Sequence, residues 1–266
     1  MPNRTYLLSP KEFDLGIVTG STVIGGSSIS NIQNSRPSYR ATFSITNPFI
    51  EIDALTSVTW DTLGLGFIKS LSAADTFRLR AKNSYPVTTS PLRDVTATIW
   101  PTGSSLTRYS KVHRHYEFTS TTARYWRIDL SCSVAPEVGR VMLGRRLDLG
   151  EGTIHLNPGL SEPGTESRDL GGERSRRLMG GPVRSIPVEW PHLTKAQALK
   201  DFYEFMLERG ENKDFMFVEN LEELVIPMPS VYVGVGRDVN INLLPGFVDQ
   251  YKVSMMIEEL GPLVTT

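Results

Sequence analysis

The stretch TTARYWRIDLS, residues 121–131, alternates apolar and polar side chains almost without a break. With a period of two, Trp126, Ile128, Leu130 and Cys132 fall on one face and Tyr125, Arg127, Asp129 and Ser131 on the other. Successive side chains of a strand point to opposite sides, so the pattern predicts a half-buried strand, apolar inside and polar outside. Trp126, Ile128 and Leu130 are then the expected filling of a core. The same alternation recurs through the first half. Ile50 and Ile52 oppose Glu51 and Asp53, and Phe77, Leu79 and Ala81 oppose Arg78, Arg80 and Lys82. Val95, Ala97 and Ile99 oppose Thr96 and Thr98, while Tyr116 and Phe118 oppose His113, His115 and Glu117. Turn clusters (NSYP, TTSP, PTGSS) separate these runs. Many short alternating strands with no helical period between them predict an antiparallel β-sandwich.

After residue 148 the pattern changes. A polar stretch rich in Gly and Arg leads to HLTKAQALKDFYEFMLERGEN, which carries the signals of a helix. Thr194 is a suitable N-cap, and Gln197 three positions on completes a capping box. Leu199, Phe202, Phe205 and Met206 make an apolar stripe, and Gly210 stands where a C-cap belongs. Strands then return in KDFMFV, SVYVGVG and QYKVSMMIEEL. The expected organisation is mainly β: a sandwich over residues 1–148, then an α+β domain over 149–266 with one helix on a small sheet.

The polar stretch has a geometry of its own. Gly171-Gly172 suits a two-residue hairpin loop, because glycine tolerates the positive φ of such turns. Folding there sets Leu170 opposite Glu173, Asp169 opposite Arg174, and Glu166 opposite Arg177; the last two pairs join opposite charges. With polar residues on both faces, the arm (about 163–186) has no core of its own. It is either a surface loop or an element that orders against a neighbouring subunit through Glu166, Asp169, Arg174, Arg176 and Arg177.

Composition narrows the chemistry. The 266 residues carry a formal net charge of −1, which gives no global basic excess for nucleic acid. One cysteine, Cys132, excludes an intramolecular disulfide and a cysteine-only zinc site, and its place on an apolar strand face predicts an inert thiol. No apolar run approaches the ~20 residues that span a bilayer, so no membrane insertion is expected. The N-terminus lacks the pattern of an export signal, which predicts folding in a cytoplasm. His113, His115 and Glu117 share a strand face and are chemically suitable zinc ligands, but same-face neighbours lie ~6.6 to 7 Å apart. A solvated or interfacial polar face is the expected reading. His155 and His192 have no spacing that recruits them. GVGRDVN at 234–240 lacks the third glycine and the following helix of a phosphate loop. No nucleophile elbow or acid/base pair emerges, so neither catalysis nor a cofactor is expected.

TTARYWRIDLS followed by VGRVMLG resembles the late strands of discoidin-type, galactose-binding-like jelly rolls, in the form found in tail-tip proteins of tailed bacteriophages. SSISNIQNSRPSYRATFSITNPFIEID is similar to the opening of those domains, and the resemblance covers roughly residues 15–148. The second half resembles, in element order, the tail-tube-like fold of phage tube and distal tail proteins: a long hairpin, a single helix and a terminal hairpin. The resemblance implies a structural virion protein, a homo-oligomeric ring at the distal end of a long phage tail that joins tube to tip. A hexamer is what it implies, with a trimer as the alternative. Its implied partners are the tail tube protein, the hub or tip proteins and the tape-measure protein, and its implied location is the virion tail after assembly in the host cytoplasm. The alternative it carries is a carbohydrate- or receptor-binding module that contacts a host glycan. It assigns no ligand residues in this sequence.

Overall fold

A computed structural model describes residues 4–36, 38–69, 72, 74–99, 111–151, 153–154, 159–161, 164–168, 174–178, 183–210, 212–219, 231–247 and 249–261. It is mainly β, with antiparallel sheets and one longer helix. The first strands are β1 (Arg4–Leu8), β2 (Ile17–Gly20), β3 (Ala41–Thr42), β4 (Phe49–Ile68) and β5 (Thr76–Lys82). They are followed by β6 (Arg93–Thr98), β7 (Val112–Ser131), β8 (Glu137–Val138) and β9 (Arg140–Gly144). A short helix, α1 (Lys11–Leu15), follows β1.

The sandwich is organised by two 20-residue strands, β4 and β7, paired along their lengths. The order is β2-β4-β7-β5-β6, and β9 adds to the far half of β4. The pairing of β4 with β7 slips between Asp53 and Val58, between Trp60 and Thr62, and between Leu65 and Ile68. Such bulges bend a strand and tighten its twist, which lets one strand serve two parts of a folded sheet. Two of them hold non-glycine residues at positive φ, Leu55 at 67° and Phe67 at 53°. Period two is kept where the strands run straight. Trp126, Ile128 and Leu130 are buried in the same cluster as Ile50, Ile52, Phe77 and Leu79.

The second lobe contains β10 (Arg146–Glu151), β11 (Thr153–Ile154), β12 (Gly159–Ser161), β13 (Gly164–Arg168), β14 (Arg174–Leu178) and β15 (Val183–Thr194). After the helix come β16 (Phe215–Glu219), β17 (Val231–Leu243) and β18 (Gln250–Glu259). Its eight-stranded sheet runs β10-β1-β16-β17-β18-β15-β11, with β12 also on β15, and curls so that Leu147 and Leu149 of β10 pack with Ile186, Val188 and Trp190 of β15. The helix lies over this core as a π-helical segment, Gln197–Phe202, running into α2 (Tyr203–Arg209). The capping box is formed: Thr194 N–H donates to Gln197 Oε1 at 3.0 Å and Gln197 N–H to Thr194 Oγ1 at 3.3 Å. Ala198, Phe202 and Phe205 face the core. Leu199, expected there, is 42% exposed; the wider π turn places it away from Phe202.

The expected boundary at 148/149 does not follow the sheets. β1 pairs with both β10 and β16, so residues 4–8 and 146–148 belong to the second lobe, and the sandwich is inserted between β1 and β10. The change of pattern after residue 148 marks a shift in composition; the partner of a five-residue strand is set by tertiary packing. The arm also differs from its expected register. Glu166 pairs with Arg176 and Arg168 with Arg174, one residue away from the Glu166–Arg177 alignment. Arg177 stands opposite Thr165. Asp169, Leu170, Gly171, Gly172 and Glu173 lie outside the described residues, as does His155.

Candidate functional site

The outer face of the sandwich carries the polar half of the alternation, and most of its charges are already engaged. Arg127 Nη1 donates to Glu51 Oε1 and its Nε to Asp129 Oδ1, both at 2.8 Å. Asp129 also accepts from Arg80 Nη2 at 2.5 Å, and the Arg127 guanidinium lies 3.8 Å above the centre of the Phe49 ring. Arg78 and Asp94 form a bidentate pair alongside. Arg127 and Arg80 are cross-strand neighbours, and Asp129, bonded to both, together with Glu51 on the far side of Arg127, offsets the repulsion. Arg127 and Asp129 are therefore a brace across β4, β7 and β5.

Beyond the brace, the same face opens into a cleft of about 240 Å³. Ile17 and Thr19 of β2, Glu51 and Asp53 of β4, Tyr125 of β7 and Tyr85 from the turn after β5 surround it. The strand register explains the grouping: Ile17 pairs with Asp53, Thr19 with Glu51, and Asp53 with Tyr125. Tyr85 is 66% exposed and stands edge-on to Tyr125, with ring centres 6.2 Å apart. Arg124 sits 4.9 Å above Tyr125 and grips Asp53 at 2.7 and 2.8 Å. That grip holds the Asp53 carboxyl below the usual carboxylate range. The cleft thus offers aromatic surface, carboxylate acceptors and hydroxyls, with the Arg124 guanidinium bonded to Asp53 beside it. The alternation exposed Glu51, Asp53 and Tyr125 in the sequence; Tyr85 belongs to a turn whose fold over the sheet has no sequence signal.

The His113, His115 and Glu117 face is the interface between the lobes, and each residue has a different neighbour. His113 Nε2 lies 2.8 Å from Glu259 Oε1, His115 stands edge-on to Tyr6 at 5.9 Å, and Glu117 pairs with Arg146. Among the described residues no group of three His, Cys, Asp or Glu side chains is placed to hold a metal ion. Burial lowers the pKa of His115 to about 4 and that of His113 below the imidazole range, and it pushes the Cys132 thiol up to about 12, as expected of an inert thiol. GVGRDVN lies within β17, where a Cβ on Gly234 would collide with the Glu258 carbonyl oxygen; that glycine serves close strand pairing. Among the described residues no helix is long and apolar enough to cross a membrane.

The interface also holds a residue that sequence reasoning passed over. Arg140 is buried and every N–H of its guanidinium is used. It donates to Asp14 at 2.7 and 2.8 Å, to Asp214 at 2.7 and 3.1 Å, and to the Ile32 carbonyl at 3.2 Å. The interface has an apolar part as well. Tyr6, Leu8, Met216, Val218 and Val233 of the second lobe meet Phe67 and Met142 of the sandwich. The signal was present in KDFMFV and VYVGV, unbroken apolar runs of the kind found in strands covered on both faces.

No protein-family model matches the chain, and no curated protein matches it. Several solved structures resemble about half of it. A GH29 fucosidase from Ruminococcus gnavus, in complex with fucose, is 17% identical over 49% of this chain and 25% of its own, with a TM-score of 0.37. Chitosan-binding module 1 of the chitosanase/glucanase from Paenibacillus sp. IK-5 is 13% identical over 48% of this chain and 93% of its own, at 0.35. The lectin domain of lectinolysin, complexed with Lewis B antigen, is 14% identical over 49% and 92%, at 0.37. Likeness of this degree carries neither a ligand nor an activity to the present chain.

Proposed function

We propose that the protein is a non-catalytic binding protein whose sandwich takes a carbohydrate in the Tyr85–Tyr125 cleft. The observation that carries this reading is the pairing, in one open concavity, of an exposed aromatic ring with two carboxylates, one of them held by the Arg124 guanidinium at its side. A saccharide presents C–H groups on its ring faces and hydroxyls at its rim. Tyr85 supplies a flat apolar surface for the first. Glu51 and Asp53 accept from hydroxyl donors, and Arg124 and Thr19 donate to ring and hydroxyl oxygens. The site charges balance locally, which suits a neutral sugar. A glycan array probed with the full-length protein tests the reading, with Tyr85→Ala alongside. Binding that is lost in Tyr85→Ala supports it; an array without signal, or with signal that Tyr85→Ala leaves unchanged, overturns it.

A second reading is favoured by the hairpin β13–β14, which among the described residues forms a two-stranded sheet bonded to no other strand. An isolated hairpin is marginal in water, so a partner that completes it is physically apt. This accords with a ring-forming structural component of a phage tail, whose arm carries Glu166, Asp169, Arg174, Arg176 and Arg177 towards a neighbouring subunit, with tube, hub and tape-measure proteins as its surroundings in the virion. Deleting residues 167–178 then leaves a folded monomer that no longer assembles, read by light scattering. Assemblies of unchanged size in that variant overturn the reading.

A further inference from the structure

The interface between the lobes contains one titratable ring whose hydrogen bonds leave no place for a second proton. His113 of β7 is fully buried. Its Nδ1 accepts the Phe67 backbone N–H at 3.1 Å, and its Nε2 faces Glu259 Oε1 at 2.8 Å. A ring nitrogen that accepts a backbone N–H carries no hydrogen, so the neutral tautomer has its proton on Nε2, donated to Glu259. Glu259 of β18 is held in turn by Arg184 of β15, at 2.8 and 2.6 Å. Lys111, at the start of the histidine's own strand, is the remaining charge that acts on the ring.

The residue that His113 holds has an unusual backbone. Phe67 is at φ 53°, a left-handed conformation disfavoured for any residue with a Cβ, inside the slip of register between Leu65 and Ile68. Its ring stands edge-on to the imidazole at 4.5 Å and belongs to the apolar cluster shared with Tyr6, Met216 and Val233 of the other lobe. One ring nitrogen therefore secures the backbone of the side chain that the sandwich inserts into the interface, and the other secures the opposite lobe.

We propose that His113 is a pH-sensitive latch between the two lobes: protonation at Nδ1 evicts the Phe67 N–H, frees the bulge and loosens the sandwich from the second sheet. Nδ1 is the only ring position open to a proton, and on receiving one it becomes a donor aimed at another donor. Loss of water contact, with Arg184 and Lys111 nearby, outweighs the attraction of Glu259 and keeps the closed ring neutral. The open state, where the imidazole meets water, takes the proton at its ordinary value near 6.5. Acid thus favours opening.

Hydrogen exchange on the full-length protein between pH 7.5 and 4.5, corrected for intrinsic rates, tests the latch. Protection at Phe67, at 231–235 and at 250–259 falls by up to about tenfold for each pH unit below the ordinary imidazole value, the signature of one proton taken up on opening. Protection at 126–130, in the middle of the sandwich, stays constant. In a His115→Phe background, which removes the other buried imidazole of the interface, His113→Asn still offers an amide oxygen to the Phe67 N–H but does not titrate, and the fall disappears. Imidazole 15N shifts of the unaltered protein give a second measurement, with the Nε2-protonated tautomer at pH 7.5 passing to the doubly protonated ring as protection is lost. Flat protection down to pH 4.5, a fall in the His115→Phe background that persists when His113→Asn is added, or an Nδ1-protonated ring at pH 7.5 overturns the proposal.

Discussion

Arg140 illustrates how one side chain sets the relation between two lobes. Its guanidinium spans Asp14, just after β1, and Asp214, just before β16, from a position in the sandwich. The Asp214 side chain is only 3% exposed. Removing the arginine strands that carboxylate away from water, so Arg140→Met costs about 3 to 5 kcal/mol in urea titrations, and adding Asp214→Leu restores part of the loss. His115 supplies a dependence on pH. Its folded pKa of about 4 lies below the ordinary 6.5, so the unfolded chain binds the proton first as pH falls. The stabilisation from the neutral ring is complete above the ordinary value and is lost as pH drops to the folded one. It amounts to roughly 3 kcal/mol. His115→Phe therefore reduces the difference in unfolding free energy between pH 7 and pH 4 by that amount and leaves the share of His113. Arg140 was not legible as an interface residue in the sequence, and the face of His115 was read as solvated or interfacial without a choice between the two, because alternation reports which face a side chain is on and not what covers that face.

Among the elements, the strands of the sandwich were legible and their interruptions were not. Period two assigned Phe77, Leu79, Ala81, Ile50 and Ile52 to the inside, and all are buried. The residues held at positive φ in the bulges, Leu55 and Phe67, are not turn formers, and their turn-forming neighbours Asp53 and Gly66 were not read as turns. Leu55 is 48% exposed and its N–H donates to Asp53 Oδ1 at 2.8 Å, a local turn that favours the left-handed backbone without needing the leucine side chain. Relief of a left-handed non-glycine residue is worth ~1 to 2 kcal/mol, and the added freedom of glycine in the unfolded chain costs ~0.5 to 1. Leu55→Gly is thus expected to stabilise the protein by about 0.5 to 1 kcal/mol by denaturant titration, although it removes a large apolar side chain. The helix was legible at its start, where Thr194 and Gln197 cap each other, and misread at Leu199, because a π turn alters the angular spacing on which a helical stripe is projected. The candidate cleft was legible in part: Glu51, Asp53 and Tyr125 follow from alternation, whereas Tyr85 is brought over the sheet by a turn.

For the whole molecule, the decisive feature is the insertion of the sandwich between two strands that pair with each other. Composition divides the chain near residue 148, but hydrogen bonding places Arg4–Leu8 next to both Arg146–Glu151 and Phe215–Glu219. Leu8 and Arg146, where the chain leaves the second sheet and returns to it, are direct cross-strand partners. A tight reverse turn of a few residues could join them without disturbing a neighbouring hydrogen bond. The sandwich is therefore a cassette, exchangeable in principle for another domain or for nothing, while the host sheet keeps its connectivity. A chain with residues 10–144 replaced by Asn-Gly is expected to retain the far-ultraviolet circular dichroism of a β protein. It would also uncover Tyr6, Leu8, Met216, Val218 and Val233, so size-exclusion chromatography should find it self-associating, since a bare apolar face of that kind seeks a new cover. Swapping in a different domain would succeed to the extent that the newcomer brings its own lid for this face, which makes the cover, more than the splice point, the constraint on what such a sheet can carry.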